Sequence, residues 1–344
     1  MQVVVTQPLK SFVLQIELSV VNIVGLLLAG MVGLLIFLEL GLRLLFGFGN
    51  PLIYVADPNI GYLLAPDQKT RRFGNHITIN QYSMRSPAIA PTPASATLRV
   101  LLLGDSVANG GWWTDQAEII SELLQQQLQP DLTGTRWQQV EVLNASANSW
   151  GPRNELAYLQ RFGSFGAPVV VLLLNTDDLF ATAPSSLQVG NDLNYPDQKP
   201  PLALVEVLHR YLLRPAPNPD FKAKFKAVQA EPGDRVGFNL TALQQIHSLV
   251  QSQGGQLLLA MTPLLRETSA KGGPRDYEQK ARQRLLDFTE HEHITYVDFL
   301  PSFNAVAEPE TLYRDHIHLS PAGNQLVSET IQRSLQAGFL TPKP

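Results

Sequence analysis

The chain begins its pattern with a run that has no polar face. From Leu18 to Phe48 it reads LSVVNIVGLLLAGMVGLLIFLELGLRLLFGF, and no residue between Ile23 and Leu38 is charged. About 20 residues of helix cross the apolar layer of a bilayer, so residues 18–48 are predicted to be a transmembrane anchor behind a short segment, 1–17. A core helix of a soluble protein would show a polar face. A cleavable leader has a shorter apolar core and a small-x-small site before a polar start. Glu39 and Arg43 lie four apart at the end of the run, where they can pair or reach the interface.

Residues 49–96 read as an irregular lead-in, with Asp57-Pro58, Gly61-Tyr62 and Pro66 as turn signals. Alternation in HITIN, 76–80, predicts one short strand, and PAIAPTPAS, 87–95, a linker. From 97 to 340 the pattern becomes a strand–helix alternation. Largely apolar runs predict strands at Leu98–Leu103, which stops at Gly104 as a buried parallel strand does, and at Val140–Leu143, Val169–Leu174, Gln256–Met261 and Ile294–Val297. Helical spacing marks Ala117–Leu128, Arg153–Phe162, Thr241–Gln253, Tyr277–Glu290 and Pro321–Leu335. This order predicts an α/β fold with a parallel sheet covered on both faces, whose ligands sit at the carboxyl ends of the strands. Residues 182–235 interrupt the rhythm with Pro, Lys and Arg and one predicted helix near Leu202–Leu213. They read as an insertion, either a lid near the site or a surface loop.

Composition narrows the classes. Only 16% of residues are charged, below the usual quarter of a soluble domain. The net charge of −4 argues against a nucleic-acid partner. The absence of Cys excludes disulfides, thiolate zinc sites and a Cys nucleophile. Lys10 and the terminal amine precede the apolar run, offset by Glu17, whereas beyond Arg43 no base occurs until Lys69. That slight bias favours a cytoplasmic N-terminus and a working domain outside it, on a single-pass protein of the inner (plasma) membrane.

The chemistry gathers at two strand ends. The first strand of the alternation runs into Gly104-Asp105-Ser106. A Ser there is exposed at the sheet rim, glycine permits a tight turn, and a following helix would direct free N–H groups toward incoming negative charge. Asp and Ser are also ordinary helix caps. Near the other end stands Asp315-His-Ile-His318-Leu-Ser, followed by Pro321-Ala-Gly323. A Ser nucleophile needs a base, and the base an orienting carboxylate. One turn can bring Asp315 and His318 to the same side. His316 competes for the role of base but reads more simply as a solvent-facing neighbour. Bound metal at these residues lacks further ligands at readable spacing, and no cofactor is expected. Trp112-Trp113 suit an apolar or sugar-binding wall, or packing. Asp298 ends the fifth strand, and Arg153 and Asn154 follow the second; each is weighed as a lesser candidate.

LLLGDS at 101–106 and DHIHLSPAG at 315–323, at the two ends of a five-strand domain, resemble the GDSL/SGNH hydrolase superfamily over roughly 97–338. The resemblance implies a flavodoxin-like three-layer α/β/α fold with Ser106 as nucleophile and an Asp315–His318 pair. Residues 57–86 look like the lead-in of membrane-anchored bacterial members. Two family positions differ. The second block, Asn144 to Gly151, has Ser149 where the family has a glycine whose N–H serves the oxyanion, with Gly151 as a shifted alternative. The third block, usually Gly-x-Asn-Asp, reads Asn175-Thr176-Asp177-Asp178 and sets Asp177 where an amide belongs. An ionised Asp177 would repel an oxyanion, and one lost donor costs about 2.7–4 kcal/mol. Either Asp177 is protonated, or Asn175 or Asn148 supplies the amide, or catalysis is poor. Alternatively Asp177 and Asp178 only cap the turn after the third strand.

The resulting expectation is a membrane-anchored serine esterase or deacylase. It would act on O-acyl esters, foremost O-acetyl, of envelope glycans or lipids. An O-acyltransferase using the same triad and a non-catalytic binding or assembly factor are the alternatives.

Overall fold

The computed structural model describes residues 20–340 apart from 214, 215 and 217. Segment 1–17, with Lys10 and Glu17, lies outside the described residues. The apolar run forms helix α1, Val20–Gly41, extended by a wider turn, Leu42–Phe46. Asn22–Phe46 spans 25 residues at a mean hydropathy of 2.5, long and apolar enough to cross a bilayer, and its apolar window is not buried in the protein. Glu39 and Arg43 do pair, at 2.6 Å.

The lead-in holds two antiparallel hairpins rather than one strand: β1 (Tyr54–Asp57) with β2 (Gly61–Leu64), and β3 (Gln68–Arg72) with β4 (Asn75–Ile79). The Asp57 carboxylate accepts the N–H groups of Asn59 and Ile60 at 2.9 and 2.8 Å and so builds the first turn. β2 is buried along its whole length, so it shows no alternation from which to read a strand.

The sheet follows the apolar runs; the second strand extends three residues past its sequence pattern, to Ser146, and the other boundaries agree to within a residue. Its strands are β5 (Thr97–Gly104), β6 (Gln139–Ser146), β7 (Val169–Asn175), β8 (Gln256–Thr262) and β9 (Thr295–Asp298). All pair in parallel in the order β6-β5-β7-β8-β9, the doubly wound order with its reversal beside β5. The helices are α2 (Ser106–Asn109), α3 (Ile120–Leu128), α4 (Pro152–Phe162), α5 (Ala203–Val207), α6 (Pro219–Gln229), α7 (Arg235–Ser252), α8 (Asp276–His291), α9 (Leu300–Asn304) and α10 (Pro321–Leu335). Alternate strand residues feed two cores. Leu101, Leu103, Val170 and Leu172 meet α4, α7 and α8 on one face, together with Ile60, Leu64, Ile77 and Ile79 of the hairpins. Val100, Leu102, Val171 and Leu173 meet α3, α9 and α10 on the other.

Segment 182–235 contains two helical stretches, not one. α5 continues as a wider turn through Leu213, and α6 is a separate, basic helix. α6 buries no residue; its narrow stripe of Phe221, Phe225 and Val228 is only half-covered.

Candidate active site

β5 ends against its neighbours at the switch point of the sheet. A Cβ on Gly104 would lie 2.6 Å from the Leu173 carbonyl oxygen and 2.7 Å from the Ala108 Cβ, so only glycine lets α2 begin this close to β7. Asp105 caps α2, its Oδ1 accepting the Val107 N–H at 2.8 Å. α2 runs only four residues before Gly110 turns the chain at φ +75°, so the helix-end field expected at Ser106 is slight. Burial pushes the Asp105 carboxyl up, against the Val107 N–H and the neighbouring His318.

Three of the residues singled out in the sequence meet at this edge. Ser106 is 8% exposed, and its Oγ lies 3.0 Å from His318 Nε2 and 3.2 Å from Asp105 Oδ2. His318 Nδ1 lies 2.8 Å from Asp315 Oδ2. The Asp315 Oδ1 accepts the N–H groups of Ile317 and His318 at 3.0 and 2.9 Å, while the Arg314 N–H closes on the His318 carbonyl at 2.8 Å. One carboxylate thus shapes the loop and orients the imidazole. Burial pushes the Asp315 carboxyl up, but the hydrogen bonds from His318 and Ile317 outweigh it and hold the group below its usual range. The Trp113 ring packs on the imidazole, 4.4 Å between centroids. His316 points to solvent, 80% exposed.

The second block supplies a backbone donor. Ser149 sits at φ +58°, a conformation that favours glycine, and its Oγ accepts the Tyr195 hydroxyl at 2.9 Å. Its N–H has no partner among the described residues. The Gly151 N–H is already donated to Asn154 Oδ1 at 3.1 Å. In the third block the Asn175 amide donates to Asp105 Oδ2 at 2.9 Å and accepts the Asp177 N–H at 2.8 Å. Asp178 caps the Asn175 N–H at 2.8 Å. Asp177 stands at the rim, where partial burial pushes its carboxyl up against the pull of Arg266. Asn148 keeps a buried Oδ1 without a partner among the described residues.

Two clefts meet at the Ser106 hydroxyl. One, about 450 Å³, is walled by Trp112, Trp113, Tyr54, Tyr195, Phe73 and Tyr211. The other, about 390 Å³, is polar, with Asn154, Asn175, Asp177, Ser185, Gln188 and His316. Ser106 and Ser149 line both. Asp298 lies outside them, bound to Arg282 and capping Leu300, and Arg153 pairs with Glu231 at 2.8 Å.

The sequence reading passed over Arg85. Fully buried, it donates to the carbonyls of Asn109, Gly111 and Thr114, each at 2.6 Å, and so fixes the loop that carries both tryptophans. Burial lowers its pKa to about 9, partly opposed by Asp115 and Glu122. A single Arg in a lead-in without periodicity gives no signal of this role.

The GDSL-like lipase/acylhydrolase sequence pattern matches residues 102–326. The chain belongs to this family. A search of curated protein sequences found no relative. Among solved structures, a catalytic mutant of the acetylxylan esterase Axe2 from Geobacillus stearothermophilus is 13% identical over 71% of this chain and 97% of that one, with a TM-score of 0.44. The lipase/acylhydrolase from Enterococcus faecalis is 13% identical over 72% and 98%, with a TM-score of 0.42. TesA is 17% identical over 70% and 98%, with a TM-score of 0.44. GDSL-like membership supports hydrolysis of acyl esters by this chain.

Proposed function

We propose that the protein is a serine esterase, held to the membrane by α1, that cleaves O-acyl esters outside the cytoplasm. The observation that carries this reading is the Ser106–His318–Asp315 chain of contacts at 3.0 and 2.8 Å, at the carboxyl end of β5. His318 Nε2 takes the Ser106 proton as Oγ attacks the ester carbonyl. The N–H groups of Ser106 and Ser149 hold the resulting oxyanion. The intermediate collapses, the C–O bond to the alcohol breaks, and His318 returns the proton to that oxygen. Water then attacks the acyl-serine by the same route, releasing the acid. Asp315 keeps the Nδ1 proton in place throughout, so that Nε2 is free to accept. The N-terminal orientation and the O-acyl substrate of an envelope glycan or lipid rest on the charge bias and the location.

A fluorophosphonate probe on the full chain tests the site. Wild type should label, and Ser106→Ala and His318→Ala should not. A folded wild type that stays unlabelled, or a labelled Ser106→Ala, refutes the reading.

The pair of clefts favours a second outcome for the same acyl-serine. A hydroxyl bound in the polar cleft can replace water as acceptor. Product analysis with and without a soluble oligosaccharide separates transfer from hydrolysis: transfer requires an acylated sugar in the product mixture.

A further inference from the structure

The segment Leu202–Leu213 carries an apolar face with no partner among the described residues, tied to the end of α1. Glu39, in the last turns of α1, accepts the N–H groups of Ala203 and Leu204, both at 2.9 Å, and so caps α5. Buried Glu206 accepts the Gly49 N–H at 2.7 Å and also binds Arg72. Tyr211 meets the edge of Phe48 at 6.0 Å between centroids. The whole segment is therefore held at the level where the chain, between Glu39 and Phe48, leaves its apolar run. Ala203 and Glu206 face the protein, while Leu208, Leu212 and Leu213 face away, the last two 71% and 66% exposed. That face continues the exposed Leu44, Leu45 and Phe46 of the apolar run and, through the Phe46–Phe73 and Phe73–Trp112 contacts at 5.9 and 5.5 Å, reaches the aromatic cleft. Arg43 and Arg210 flank it, their heads paired with Glu39 at 2.6 Å and Glu206 at 3.3 Å.

We infer that Leu202–Leu213 lies in the headgroup layer of the membrane crossed by α1, and that this second contact holds the mouth of the aromatic cleft against the bilayer. The inference rests on the anchor reading. Its occupant is a lipid leaflet, because the face is continuous with the exposed apolar run of α1. The ester consumed would then be one presented at the membrane surface.

The absence of native cysteine permits a direct test. In full-length protein reconstituted in phosphatidylcholine–phosphatidylglycerol vesicles, an NBD label is placed at Leu212→Cys, at Phe37→Cys within α1, or at exposed Gln251→Cys in the last turn of α7, just before the start of β8. Doxyl-labelled lipid should quench the first two and leave the third bright. Quenching at 37 but not at 212 overturns the inference and keeps the anchor. Quenching at neither overturns the anchor reading itself. A blue-shifted but unquenched label at 212 assigns the face to a protein partner and also overturns the inference. The Leu212→Ser/Leu213→Ser variant should hydrolyse soluble p-nitrophenyl acetate as wild type does, yet lose about tenfold on p-nitrophenyl palmitate held in the same vesicles. Equal loss on both esters, or on neither, refutes delivery from the membrane. If wild type hydrolyses neither ester, the esterase reading fails while the quenching result still stands.

Discussion

Replacing Asp315 with Asn separates the two tasks of that carboxylate. Its Oδ1 accepts two backbone N–H groups, at 3.0 and 2.9 Å, and its Oδ2 faces His318 Nδ1 at 2.8 Å. The two donors hold the amide oxygen of the Asn at the Oδ1 position, so the loop survives. The NH₂ then faces Nδ1 and forces it to accept, which moves the imidazole proton to Nε2, opposite Ser106 at 3.0 Å. A protonated Nε2 cannot take the serine proton. The same tautomer defect in a Ser-His-Asp site lowers turnover about 10⁴-fold. Asp315 is about one-third exposed, so water can partly relieve the defect, and the expected loss is about 10³–10⁴-fold in kcat/KM, or about 4–5.5 kcal/mol. Hydrolysis of p-nitrophenyl acetate measures it, beside thermal unfolding. The Asn variant should unfold within about 3 °C of wild type. Asp315→Ala should lose activity and also about 1–3 kcal/mol of stability, because two N–H groups lose their acceptor. An Asn variant with activity within tenfold of wild type refutes the proposed role of the carboxylate.

Three further outcomes are expected. Arg85→Met leaves three carbonyls without their donor and should cost about 3–5 kcal/mol in urea unfolding; a loss under about 1 kcal/mol would mean that the tryptophan loop holds itself. Glu155 is fully buried with neither oxygen partnered among the described residues, and burial, with Asp105 nearby, pushes its carboxyl well above its usual range. Its folded pKa therefore exceeds the unfolded one, and stability falls as pH rises above the unfolded value. Glu155→Gln should raise Tm at pH 8 by more than at pH 4, and a gain independent of pH would contradict this. Ser149→Gly relieves a left-handed backbone by about 1 kcal/mol and keeps the N–H, so activity should stay within a few-fold; a hundredfold loss would show that the Ser149 side chain, not its backbone, serves the reaction.

The apolar run, the five strands and the two strand-end motifs are legible because each is a local signal. Continuous burial leaves β7 apolar up to Asn175 and β5 apolar but for Thr97 and Arg99, and α1 needs no tertiary partner to explain its composition. The hairpins of the lead-in and helix α6 are illegible for the converse reason. β2 is buried throughout and shows no periodic contrast, and in α6 the contrast is confined to Phe221, Phe225 and Val228 within a Pro- and Lys-rich insertion. The separation of Ser106 from His318 along the chain hides their contact, which depends on β5 lying between β6 and β7 and on the loop shaped by Asp315. The third block shows the limit most clearly. Its residues admit several oxyanion donors on paper, but the fold commits the Asn175 amide to Asp105 and leaves the Ser149 N–H unpartnered among the described residues. The residues at each strand end, and hence the chemistry within reach, were determined by sequence alone. Tertiary structure decided which donors are left free and which face meets the end of the apolar helix, because both depend on long-range packing that no local pattern encodes.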